Sequence, residues 1–262
     1  MYVGTIQAET GCLTQELRAL IQDMMTVTHA LASKLDGDEK AGGYLAVLNR
    51  AICSQLRLIR QAELDERLKS QNEIRLDRAL VDLVLLGRDI MESTQALTGP
   101  LLDIKAEFST NLTTLTTMAD GYALRELFLH YLADSVRGIG RGGDIRLKLE
   151  SRNGQAVFTM TDSARGAGGR AAASPQELRE GSARERQMVR RIVELHGGTL
   201  ITGHTESGGT CVAVSIPIVE RAGGVLHSSG VRWESGGGWD PVLVGLSGCL
   251  PAEAFAPDRG RT

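Results

Sequence analysis

The chain has 262 residues, 42% hydrophobic and 23% charged, with a formal net charge of −3. This composition describes a globular chain without a broad basic field, which excludes a surface built for nucleic acid or anionic lipid. The opening residues MYVGTIQAETG lack a cationic start followed by an apolar core. No stretch approaches the roughly 20 apolar residues that span a bilayer, so the expected location is cytoplasmic, with no membrane partner. Cys12, Cys53, Cys211 and Cys249 are far apart and show no CxxC spacing. They are expected as reduced thiols, not as a zinc site or a disulfide framework.

Leu13, Leu17, Leu20, Met24, Val27, Leu31 and Leu35 recur in steps of three and four, which predicts one long amphipathic helix. Turn residues at 35–38 end it. A second stripe, Leu45, Leu48, Ile52, Leu56 and Ile59, runs into the charged stretch 63–69. Two such helices make a hairpin, and a lone hairpin has little to bury its stripes against. Pairing with a second copy into a four-helix bundle is the expected solution, and packing on the chain's own C-terminal part is the alternative.

A third helix is predicted over 76–96, broken by Thr98, Gly99 and Pro100. Residues 101–118, rich in threonine and leucine, suit one or two strands or an extended approach to the next helix, predicted over 122–137. Strands at 144–150 and 156–161 flank a turn at 151–154. Residues 163–186 begin as a loop. Met188, Val189, Ile192, Val193 and Leu195 then mark a helix closed by Gly197 and Gly198, where a left-handed cap is needed. Two more strands, 199–202 and 211–216, surround a glycine turn. Residues 221–262, with Trp233 and Trp239, read as a Gly-rich tail of low order carrying a short strand at 242–246. The expected organisation is a helical hairpin at 1–72, an α+β sandwich at 73–220 and the tail at 221–262.

The wording of 188–218, MVRRIVELHGGTLITGHTESGGTCVAVSIPI, closely resembles the end of the ATP-binding domain of bacterial sensor histidine kinases. That family shares its ATPase fold with Hsp90, gyrase and MutL. The resemblance implies a dimerisation hairpin followed by a histidine-kinase-like ATPase sandwich, and covers about residues 12–218. It also implies ATP or ADP with Mg²⁺ as cofactors, and the partners of a two-component phosphorelay.

Four motifs follow in that register. The family's phosphoacceptor histidine falls on Gln22, beside the retained acidic residue Asp23; an amide cannot hold a phosphoryl group as imidazole does. His29 lies two turns further on roughly the same face and is the fallback acceptor, the alternative being an ordinary histidine of the bundle. The family's asparagine-bearing, Mg²⁺-holding helix matches 130–137, with His130 and Asp134 at the asparagine positions and Arg137 keeping the basic one. Asp134 is a hard-oxygen ligand suited to Mg²⁺. The adenine-binding aspartate after a strand matches Asp162, followed by Ala164 in place of one glycine and by Gly166. The phosphate-cradling glycine box falls on 181–186, where Gly181 survives and Glu185 brings negative charge towards the phosphates. Arg184 and Arg186 flank Glu185.

The implied nucleotide-binding set is therefore His130, Asp134, Arg137, Asp162, Gly166 and Gly181. The departures at Gln22 and Glu185 point to a pseudokinase that binds a response regulator or a partner histidine kinase, with no confident catalytic residue. The alternatives are an active kinase with divergent motifs and a nucleotide-sensing module.

Overall fold

A computed structural model describes residues 2–35, 37–69, 76–163, 177–206, 208–219 and 239–257. The chain forms two compact units, Met1–Ser70 with Trp233–Thr262, and Gln71–Arg232.

In the first unit, α1 (Tyr2–Lys34) and α2 (Glu39–Lys69) form the hairpin. Asp38 starts α2 by accepting from the backbone N–H groups of Lys40 and Ala41 at 2.9 and 3.1 Å. Ile21, Ile52 and Ile59 pack together with Met25 between the helices. Arg18 reaches Glu63 at 2.6 Å. Thr14, Arg18, Ile21, Met25 and Thr28 thus define the face of α1 turned to α2, in steps of four, three, four and three. The neighbouring stripe, Leu17, Leu20, Met24, Val27 and Leu31, stays exposed within one chain. Tyr44, Val47 and Leu58 do the same on α2.

The C-terminal residues of this unit depart from the sequence reading. Where a tail of low order with a strand at 242–246 is expected, Pro241–Gly245 forms helix α6 and Ala252–Phe255 a 3-10 turn. Asp240 caps α6 by accepting from the Val242 N–H at 2.7 Å, and Pro241 supplies a helical φ at its first position. Val242, Leu243, Val244, Leu246, Leu250 and Phe255 are buried, so the apolar residues here are core rather than tail.

In the second unit, β1 (Ala79–Asp82) pairs antiparallel with β3 (Thr116–Ala119). A five-stranded sheet runs in the order β2 (Ile104–Thr110), β4 (Gly143–Arg152), β5 (Gln155–Asp162), β7 (Thr210–Pro217), β6 (Thr199–His204). Only β2 and β4 are parallel, joined through helix α4 (Gly121–Ile139). Ile145, Leu147, Leu149, Phe158, Met160, Val212 and Val214 are buried at alternate strand positions. Helices α3 (Leu83–Leu102), α4 and α5 (Glu177–Leu195) pack against the sheet. Phe128 of α4 meets Phe158 with ring centroids 4.7 Å apart. Burying each such side chain contributes roughly 1.5–3 kcal/mol.

The helix predicted at 76–96 is shifted. Asp82 accepts from the N–H groups of Val84 and Leu85, so α3 starts after it and the residues before it form β1. Pro100 does not stop α3, which runs on to Leu102 with Pro100 in its last turn. Asp103, at φ 55°, ends the helix with its N–H on the Gly99 carbonyl. At the other side of the unit Gly197 adopts φ 73° after α5, and Gly198 donates to Val193. A Cβ on Gly198 would overlap the Ser215 carbonyl, which explains the glycine pair.

His196 locks these elements together. Its Nε2 accepts from the Asp120 N–H at 3.0 Å while its Nδ1 lies 2.7 Å from the Ile192 carbonyl, which requires the neutral ring with the proton on Nδ1. Asp120 in turn caps α4 at Ala123 and accepts from the Asp77 N–H, each at 2.9 Å. Burial pushes the His196 pKa below its ordinary value, against the opposing pull of the Ile192 carbonyl and Asp120. The folded unit therefore favours neutral His196 and the unfolded chain takes up the proton first, so this stabilisation is lost as pH falls below about 6.5. His196→Ala is expected to cost about 1–3 kcal/mol at pH 7.5. That difference from wild type should shrink on acidification to pH 5, measured by urea unfolding.

Candidate functional site

Asp162 ends β5 and faces two other elements. Its Oδ2 accepts from Ser135 Oγ of α4 at 2.6 Å, and its Oδ1 accepts from the Thr210 N–H of β7 at 2.5 Å. Gly209 lets β7 approach, since a Cβ there would overlap the Asp162 carbonyl. Past Asp162, Ser163 exchanges backbone and side-chain bonds with Asp144, which carries the β4–β5 ladder one residue further.

The neighbouring face of α4 carries His130, Asp134 and Arg137, spaced by four and three. His130 is buried, with Nδ1 3.4 Å from Glu185 Oε2 of α5 and Nε2 3.7 Å from Asp134 Oδ2. Arg137 donates to Asp134 Oδ1 at 2.6 Å; both side chains are substantially exposed, so the pair adds little stability. Tyr131 stands edge-on to the His130 ring at 5.1 Å between centroids. Burial first, and then the Asp134 charge, push its phenol up to about 12, against Arg190 and Arg186. It is a neutral hydroxyl at physiological pH.

The structure thus gathers four of the expected site residues on or against α4. Three are on the helix, and Asp162 reaches it through Ser135. Gly181 lies inside α5, and Gly166 falls outside the described residues. Gln22, Asp23 and His29 are exposed on α1, in the other unit. Two contributors escaped the sequence reading. Ser135 passes for an ordinary helix residue beside Asp134, and Thr210 for the end of a turn; the glycines at 208 and 209 were the one signal of a close approach there.

The two parts of this region differ in charge environment. The Asp162 carboxylate is held by two donors. Around His130, by contrast, the carboxylates of Asp134 and Glu185 stand on two sides. Among the described residues no group of three or more His, Cys, Asp or Glu side chains is placed to hold a metal ion.

No protein-family model matches the chain. Sensor histidine kinase ZraS of Salmonella typhimurium and that of Salmonella typhi are each 24% identical over 186 residues, covering 66% of this chain and 36% of theirs. The chain therefore spans about a third of the length of these curated relatives. Full-length ShkA in complex with AMPPNP superposes with a TM-score of 0.59 at 20% identity, over 82% of this chain and 47% of ShkA. Acinetobacter baumannii histidine kinase AdeS gives 0.50 at 14% identity, over 75% of this chain and 96% of AdeS. The fold is that of a sensor histidine kinase core. Its hairpin and mixed sheet are the two parts expected of such a core. Among the described residues, no helix of this histidine-kinase-like chain is long and apolar enough to cross a membrane.

Because Asp162 joins α4 to β5 and β7, Asp162→Ala is expected to lower the unfolding free energy by about 2–4 kcal/mol, as two charge-assisted bonds are lost. Ser135→Ala should cost about 1 kcal/mol. Chemical denaturation of the two variants checks both the size and the order.

Proposed function

We propose that this chain is a pseudokinase of a two-component system, cytoplasmic and homodimeric, with weak or absent nucleotide binding. It acts by binding a response regulator or a partner histidine kinase. The observation that carries this reading is the placement of Glu185, whose carboxylate lies against His130 on the face of α4 where phosphates and Mg²⁺ would be handled. A phosphate brought there meets the carboxylates of Glu185 and Asp134, and the Arg137 guanidinium beside them is already paired with Asp134. Gln22 at the acceptor position points the same way, because its amide offers no nucleophilic nitrogen. Mixing purified chain with γ-labelled ATP is expected to leave every histidine unlabelled, and titration calorimetry at millimolar ATP or ADP with Mg²⁺ to show little heat. Label on a histidine would overturn the reading in favour of an active kinase. Loss of that label in His29→Ala would then identify His29 as acceptor. Strong nucleotide binding without labelling would favour a nucleotide sensor, a reading supported by the retained Asp162 carboxylate.

Homodimerisation is supported by the outward stripe of α1. Leu17, Leu20, Met24, Val27 and Leu31 alternate steps of three and four, the period of a helical seam, and lie beside the face already used by α2. Tyr44, Val47 and Leu58 of α2 extend the apolar surface. Leu20→Glu combined with Val27→Glu is expected to convert a dimer into a monomer in sedimentation analysis while retaining helical circular dichroism. A wild-type chain that sediments as a monomer at micromolar concentration would overturn this part of the reading.

A further inference from the structure

Helix α2 has a third face, separate from the one turned to α1 and from the outward stripe. Asn49, Cys53, Leu56 and Arg60 follow in steps of four, three and four, all buried, whereas Ile52 and Ile59 belong to the cluster with Ile21. Against α2 pack α6 and the 3-10 turn. Asn49 Nδ2 donates to the Phe255 carbonyl at 3.0 Å across 206 residues of sequence. Arg57 lies along Gly248, where a Cβ would stand 3.5 Å from its guanidinium. Leu243, Val244, Leu246 and Phe255 are fully hidden.

The segment that supplies these contacts has little structure of its own to rely on. Helix α6 has five residues, and isolated helices that short do not persist in water. Its order comes from docking, which is how a bound peptide behaves. It offers an apolar helical turn, then an aromatic anchor, and a backbone carbonyl for a buried amide.

We propose that residues 239–257 are an intramolecular ligand of the hairpin. The α2 face around Asn49, Cys53, Leu56 and Arg57 is then a docking groove for a protein segment of the same chemistry, a short apolar helix followed by an aromatic residue. This rests on the reading that the chain acts by binding a partner protein. The groove is occupied in cis, so a partner binds in proportion to the fraction of molecules in which the segment has left.

The test uses the full-length chain carrying Leu243→Asp and Phe255→Asp, with a fluorescent peptide of wild-type residues 239–257 as the probe. The peptide is expected to bind this variant at least tenfold more tightly than it binds the wild-type chain, in which the groove is filled. Asn49→Ala in the variant, or Phe255→Asp in the peptide, should weaken the complex. A variant that keeps its helical circular dichroism yet binds the peptide no better than wild type overturns the proposal. Hydrogen exchange on the unmodified chain is a second measurement. The Leu246 and Leu250 amides should exchange at least tenfold faster than those of Ile52 and Leu56, and equal rates would show that the segment leaves only when the unit unfolds. If the peptide rebinds while no response regulator or kinase binds either form, the partner reading fails and the groove stands.

Discussion

The interaction on which the second unit turns is the carboxylate of Asp162, shared between a hydroxyl on α4 and a backbone N–H on β7. A helix lying on a sheet can roll and slide while keeping its apolar contacts, because those contacts are non-directional. A short charge-assisted bond fixes both motions. With Ser135 turned to Asp162, helical periodicity turns Asp134 and its partners at 130 and 137 onto the adjoining face. Together with the Asp120 cap and the Phe128–Phe158 contact, this bond sets where the candidate residues of α4 stand.

On that adjoining face the electrostatics belong to the helix pair and not to the sheet. His130 is wedged between Asp134 on its own helix and Glu185 on α5, and Arg137 draws Asp134 outward. A site that handles phosphate keeps donors in reserve for its ligand, as backbone amides in a glycine-rich loop do. Here Glu185 and Asp134 stand 3.4 and 3.7 Å from the His130 ring, and Arg137 is bonded to Asp134. The histidine-kinase fold is preserved around a buried histidine flanked by partly exposed charged side chains.

Much of the architecture was legible because its signals are periodic. The heptad-like steps of α1, the alternation in β4 and β5, and the glycine pair after Leu195 each have a physical cause confined to a few neighbouring residues. What stayed hidden depended on distant partners. Asp82 reads as a helix residue until Val84 and Leu85 are seen to donate to it, and Pro100 reads as a break until the helix is seen to run two residues past it. Composition made 239–257 look like a loose tail, since a short run such as Val242, Leu243 and Val244 has no period long enough to announce a helix. Its partner is α2, some two hundred residues earlier. The candidate site divided in the same way: Asp162 was recognisable from its place after a strand, whereas Ser135 and Thr210, which hold it, carry no pattern of their own.

The bond between Asn49 and Phe255 has a consequence for how the molecule is made. The hairpin is synthesised before the sandwich, yet one side of its second helix lacks its cover until residues 239–257 follow. All of the unit Gln71–Arg232 is produced in between. Domains ordinarily fold in the order in which they are made. In this chain the sandwich has all its strands before the hairpin has its cover, so the unit that is begun earlier is the one that closes later. During that interval one face of α2 stays open to solvent and to other chains.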